Sequence, residues 1–298
     1  MFVLMKHYLK VVLILFYSFS LFSQNDSLRI MSYNLLNFPG STSERVSSLK
    51  IVLDYAQADI ILLTEMSNKS AVDIIADNAL DEKYDYPNFI DGPDSDNFLF
   101  FNSEKLKIHS RKEIATDLRN ISEYVLYLKN QDFEIEPDTV FIHCFMAHLK
   151  ASSGGENEIK RANEVQHLID YIDSKANIEN ILFAGDFNFY SHNDDAFIKL
   201  QNAKTPLLDP INQVGSWHNN SKYAAVHTQS TRVNQIGDGG ASGGLDDRFD
   251  FILTSEDLLN ESNTLHYKSG SYHALGNDGK HFNGSLNSGV NTSVDHDF

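Results

Sequence analysis

Residues 181–188 read ILFAGDFN. The first four are apolar, and so short a run between polar residues fits a strand buried on both faces. The next four favour a turn, so a carboxylate, Asp186, and an amide, Asn188, stand just past the strand. The same arrangement recurs outward from this stretch. On the N-terminal side, VFIHCFMAHL (140–149) is a long apolar strand candidate with His148 at its end. DIILLT (59–64) is a short one followed directly by Glu65, and SLRIMSYN (27–34) partly alternates and ends on Asn34. On the C-terminal side, FDFILT (249–254) carries Asp250 among apolar residues, after a Gly- and Asp-rich loop over 237–247. Further strands are read at 98–101 and 124–128.

Two helices are marked by capping boxes, Ser41-x-x-Glu44 and Ser153-x-x-Glu156. Apolar residues follow at helical spacing: Val46, Leu49, Val52, Leu53 and Ala56 after the first, and Ile159, Ala162, Val165, Ile169 and Ile172 after the second. Strands and helices mix without strict alternation, which predicts an α/β fold with mixed sheets rather than a doubly wound parallel sheet. No internal repeat is visible, and no Pro- or Ser-rich linker divides the chain.

The chain has 298 residues, 24 Lys plus Arg against 41 Asp plus Glu, and a net charge of −17. That balance argues against a protein gripping nucleic acid by a basic surface, because such proteins neutralise phosphates with Lys and Arg. It leaves room for an enzyme that meets phosphate through a bound cation. The single cysteine, Cys144, excludes an intramolecular disulfide and a Cys-based zinc site. The first residues run MFVLMKHYLKVVLILFYSFSLFS, in the order charged, apolar, small. This is the order of a secretory signal peptide over 1–23, too short in its apolar part for a membrane span. The expectation is an exported protein, periplasmic or extracellular in a bacterium, whose domain covers 24–298 and which carries no stable membrane anchor.

Polar side chains at strand ends face the crevice where α/β folds collect their ligand sites, and they are costly there unless paired or used. Singly, each has an ordinary reading: Glu65 as a helix cap, GDFN as a turn, His148 as a packed core histidine. Asp250 is harder to dismiss, since a buried carboxylate needs a partner.

Taken together, Asn34 in SYN, Glu65 in LLTE, His148 in HLKA, then GDFN, RFDFIL and Asp295-His296 resemble the endonuclease/exonuclease/phosphatase superfamily. The resemblance covers about residues 28–298. HTQSTR (227–232) and GGLDDRFDFILTS (243–255) are similar to an exported bacterial branch of it. It implies the deoxyribonuclease-I-like fold, a four-layered α/β sandwich of two mixed β-sheets flanked by helices. It also implies metal-dependent hydrolysis of phosphodiesters or phosphomonoesters. By the same resemblance Glu65, with Asn34 and Asp295, holds a hard divalent cation, Mg²⁺ or Mn²⁺, with Ca²⁺ a further candidate. Asp186 positions or deprotonates the attacking water, and Asn188 orients that water or the phosphate. His148 hydrogen-bonds the phosphate or protonates the leaving oxygen, while His296 is the second histidine, oriented by Asp250. Arg248 and Lys150 are candidate phosphate contacts, Lys150 because on a strand it shares a face with His148. Arg161 and Arg232 are read as surface ion pairs, and Trp217 as structural, with His218 beside it in a polar loop.

The sequence departs from the family at its end. Val294-Asp295-His296-Asp297-Phe298 stands where a Ser-Asp-His triplet and a further apolar strand are usual. Either Asp295-His296 is the family's pair at a shortened end, or the chain is truncated before that pair. The reading is an exported, metal-dependent phosphodiesterase, an endonuclease with nucleic acid as its partner. The alternatives are a phosphomonoesterase or phospholipid-headgroup hydrolase on the same fold, and a non-catalytic remnant.

Overall fold

Each run read as a strand in the sequence is a strand in the computed structural model, which describes residues 27–40, 44–129 and 139–286. The chain lays down β1 (Ile30–Phe38), α1 (Glu44–Ala56), β2 (Ile60–Met66), α2 (Lys69–Asn78), β3 (Tyr84–Asp85) and β4 (Asp96–Asn102). It continues with β5 (Leu106–Ile114), β6 (Ile121–Leu128), β7 (Phe141–His148), α3 (Gly155–Asp173) and β8 (Ile181–Asp186). Last come α4 (Asp195–Asn202), β9 (Leu207–Leu208) and β10 (Asp250–Ser255). The first sheet has the order β1-β2-β4-β3 and the second β5-β6-β7-β8-β10-β9. Both are mixed: β1 and β2 run parallel, as do β7 and β8, while the other pairings are antiparallel.

Period-two alternation sorts the strand residues into three cores. Ile60, Leu62, Leu99 and Phe101 of the first sheet meet Tyr124, Leu126, Cys144, Met146, Leu182 and Ala184 of the second in the seam between them. The opposite parity of the first sheet, Ile61, Leu63, Phe98 and Phe100, packs on Leu49 and Leu53 of α1 and Val72 and Ile75 of α2. The opposite parity of the second, Phe145, Ile181 and Phe183, packs on Val165, Leu168 and Ile172 of α3 and Phe197 and Leu200 of α4. Central strands are thus covered on both faces, which is why they read as unbroken apolar runs. A side chain as fully buried as Phe183 contributes about 2 kcal/mol of transfer free energy. Helix, sheet, sheet, helix gives the four-layered sandwich.

Gly185 lies inside β8 rather than in a turn, at φ +142°. A Cβ there would meet the carbonyl oxygen of Ala147 on β7 at 1.9 Å, so only glycine lets the two backbones approach this closely. Helix α3 starts differently from the sequence expectation. Its N-cap is Gly154, with no side-chain cap, so the Ser153 capping box does not form. The other box rests on Ser41, outside the described residues. Strand β5 and helices α2 and α4 are additions to the sequence reading. Asn68 and Asp194 cap the two helices, accepting from the N–H groups of Ala71 and Ala196. No helix among the described residues is long and apolar enough to cross a membrane.

Candidate active site

The strand faces that fill the seam between the sheets turn polar at one end. His148 continues the parity of Ile142, Cys144 and Met146, and Asp186 that of Leu182 and Ala184. Asp250 continues the parity of Ile252, and Asn34 that of Ile30. Asp250 pairs directly with Asp186, and His148 with Asp186 on the other side. Glu65 has the wrong parity, since Ile61 and Leu63 face the helices. Its backbone takes φ +59°, and the ladder with β4 shifts register between Leu63 and Met66. This irregularity turns its carboxylate from the helical face into the seam. A non-glycine residue in the left-handed region costs on the order of 1 kcal/mol, a cost concentrated at functional sites.

Asn34 joins the two sheets. Its Nδ2 donates to Glu65 Oε1 at 2.8 Å and to Asp186 Oδ2 at 3.0 Å. Its Oδ1 accepts from the N–H of Leu36 at 2.8 Å, which fixes the amide orientation because that partner is only a donor. Asn34 thus meets the carboxylates with its donor and holds them together. The N–H of Asn37 donates to Glu65 Oε2 at 3.0 Å. Asn188, at φ +53°, donates its backbone N–H to Asp186 Oδ1 and its Nδ2 to the carbonyl of Leu149. His148 Nδ1 lies 3.7 Å from Glu65 Oε1, beyond hydrogen-bonding distance, and is buried with no hydrogen-bond partner.

Asp250 Oδ1 is likewise buried without a partner. Burial first, and then the neighbouring Asp186 charge, push its pKa well above the usual carboxylate range. Thr228 Oγ1 accepts the N–H groups of Phe249 and Asp250, and Gln229 Nε2 donates to Asp186 Oδ2 at 2.7 Å. Gln229 escaped the sequence reading as a site residue. It sits in an irregular loop with no period to follow, and only the HTQSTR stretch drew notice.

Arg248 is committed inside the protein rather than left free for a phosphate. It is 1% exposed, gives both terminal nitrogens to Asp209 at 2.8 and 2.9 Å, and lies 4.2 Å over the Phe251 ring. Lys150 lies past the end of β7, so the shared strand face with His148 is not formed. Its backbone N–H donates to Glu164, and its carbonyl accepts from Arg161. Arg161 itself is fully buried against Asp194 rather than at the surface, and Arg232 pairs with Asp238. Trp217 is buried and structural, its Nε1 donating to the carbonyl of Gln213. His218 is exposed, with Nδ1 2.8 Å from Asp247. Asp295 and His296, and the expected signal peptide, lie outside the described residues.

Ligand atoms of Glu65, His148 and Asp186 all fall within 4.8 Å of one another. Two carboxylates with one unpartnered imidazole nitrogen, in a recess closed by the two sheets, form a donor set suited to a divalent cation, and its oxygens suit Mg²⁺ or Mn²⁺. Residues 31–273 match the endonuclease/exonuclease/phosphatase family. The chain belongs to that family. It is accordingly a metal-dependent hydrolase of phosphoester bonds.

Solved structures share the family's fold at low identity. A β-hairpin deletion mutant of Staphylococcus aureus beta toxin superposes with a TM-score of 0.53 at 14% identity, covering 82% of this chain and 89% of that one. D. rerio TDP2, humanized by 14 mutations, gives 0.51 at 17% identity, covering 76% and 83%. The human Nocturnin catalytic domain with bound sulfate gives 0.50 at 18% identity, covering 78% and 83%. No curated protein matches the sequence.

Proposed function

We propose that this family member is an exported phosphodiesterase that uses Mg²⁺ or Mn²⁺ and cleaves nucleic acid internally. The observation that carries the reading is the convergence of Glu65, Asn34, Asp186 and His148 at one end of the seam, where Asn34 hydrogen-bonds Glu65 within the first sheet and Asp186 across to the second. Glu65 and Asp186 would hold the cation, Asp295 completing its shell. When bound, it neutralises charge on the phosphoryl oxygens. Asp186, fixed by Asn34, Asn188 and Gln229, orients the attacking water and accepts its proton. His148 donates a hydrogen bond to the phosphoryl group, and Asn188 fixes the bend that presents Asp186.

The charge distribution supports a cation-mediated rather than basic-surface contact with the substrate. Arg45, Arg119, Arg161, Arg232 and Arg248 are all engaged by carbonyls or carboxylates of this chain. The leader supports export. The test is cleavage of supercoiled plasmid by the purified protein with Mg²⁺ or Mn²⁺, beside EDTA and Glu65→Ala controls. Nicking lost in both controls is the expected result. A folded protein that leaves plasmid intact but hydrolyses a phosphomonoester or a phospholipid headgroup overturns the nuclease reading.

A further inference from the structure

Two carboxylates, the buried Asp186 and the half-buried Asp250, face each other across the β8–β10 ladder. Like charges this close repel, and among the described residues neither forms an ion pair with Lys or Arg: Arg248 is spent on Asp209. One neutral side chain reaches the pair. The Gln229 amide donates from Nε2 to Asp186 Oδ2 at 2.7 Å, and the same amide also supports the ionised form of Asp250. An amide nitrogen carries two hydrogens, so a single Gln can serve two acceptors without adding charge.

The segment that carries Gln229 is held from outside the site. The N–H groups of Asp246 and Asp247 donate to the Gln229 carbonyl at 3.0 and 2.8 Å, and the Gln229 N–H donates back to the carbonyl of Asp247 at 3.0 Å. Ser230 N–H donates to the Gly244 carbonyl. Asp186 Oδ2 thereby accepts from two amides of independent origin, Asn34 on the first sheet and Gln229 on this loop. Asn34 also contacts Glu65, and so belongs to the metal-side shell. The Gln229 side chain makes no hydrogen bond to Glu65 or His148.

We propose that Gln229 is a positioning residue: its amide fixes Asp186 in the orientation that presents the carboxylate to the attacking water and separates it from Asp250. This inference rests on the phosphoester-hydrolase reading above, and it assigns Gln229 an effect on turnover rather than on substrate affinity. Outer partners that orient a reacting or ligating carboxylate typically matter by about 10- to 100-fold.

The experiment compares the full chain with Gln229→Met and Gln229→Glu. Met keeps the length and removes the donor; Glu keeps the shape and adds a third carboxylate. Hydrolysis of bis(p-nitrophenyl) phosphate in excess Mg²⁺ or Mn²⁺ gives kcat and KM, and thermal unfolding checks the fold. In parallel, the ¹⁵N side-chain amide signal of Gln229, assigned from its loss in Gln229→Met, is followed in metal-free protein with and without Asp186→Ala. The expected result is a kcat lowered about 10- to 100-fold in Met and further in Glu, with KM within twofold, and a shift of the Gln229 amide signal on Asp186→Ala. A kcat equal to the parent in both variants, a loss confined to KM, or an amide signal indifferent to Asp186→Ala overturns the proposal. A folded parent chain that hydrolyses no phosphoester overturns the underlying reading instead, an outcome separable because the amide signal still reports the contact.

Discussion

Arg248→Met separates a structural arginine from a phosphate-binding one. The guanidinium makes two parallel hydrogen bonds to Asp209, whose side chain is 0% exposed. Removing the arginine leaves that carboxylate charged and uncompensated in the interior, which costs about 3–5 kcal/mol. The stack over Phe251 at 4.2 Å adds on the order of 1 kcal/mol. Urea unfolding followed by circular dichroism should show a loss of about 4–6 kcal/mol, the sum of those two terms, with the midpoint falling in proportion. Adding Asp209→Leu removes the stranded charge, and the double variant should regain much of the loss. At temperatures where Arg248→Met remains folded, its KM for a phosphodiester should equal the parent's. Stability within about 0.5 kcal/mol of the parent together with a raised KM would show that the arginine faces substrate, and the buried-pair argument would be wrong.

Three further outcomes follow from the geometry. Gly185→Ala should cost more than about 4 kcal/mol or prevent folding, because its Cβ would overlap the Ala147 carbonyl oxygen at 1.9 Å; soluble yield and the melting midpoint read this, and a normal midpoint would contradict the close approach. Glu164 is pushed up to about 7, chiefly by burial, so the folded state favours its protonated form; its stabilising contribution is whole below the unfolded carboxyl pKa near 4.5 and fades as pH rises through about 7. Glu164→Gln should therefore gain on the parent as pH rises between those limits, reaching on the order of 3 kcal/mol by pH 8, and a pH-independent difference would exclude this. Finally, Mg²⁺ or Mn²⁺ at a hundredfold excess over its dissociation constant should raise unfolding free energy by about 2.7 kcal/mol, EDTA should reverse the gain, and Glu65→Ala should abolish it; an unchanged gain in that variant would place the cation elsewhere.

The sequence displays the strands because their burial is two-sided: β7 and β8 have no solvent face to interrupt the apolar run. It hides β5, an edge strand whose Lys107, Arg111 and Lys112 break the pattern in the way edge strands commonly do. The site residues His148, Asp186 and Asp250 are legible because each follows or interrupts an apolar run. Glu65 is legible as a position, but not as a direction, since a left-handed φ reverses the face that parity assigns to it. Arg248 misleads because its partner, Asp209, is 39 residues away and the intervening chain carries no periodic signal linking the two. Gln229 is set by backbone pairing with Asp247, a contact no local pattern announces.

The order of the strands along the chain has its own consequence. Every strand of the first sheet is complete by Asn102, and every strand of the second begins at or after Leu106. Asn34 and Glu65 fall in the first stretch, His148, Asp186 and Asp250 in the second. The turn at residues 103–105 is therefore a natural place to sever the polypeptide. Each fragment would carry an incomplete set of groups and an apolar face in need of its complement, so hydrolysis regained on mixing the two would report their reunion.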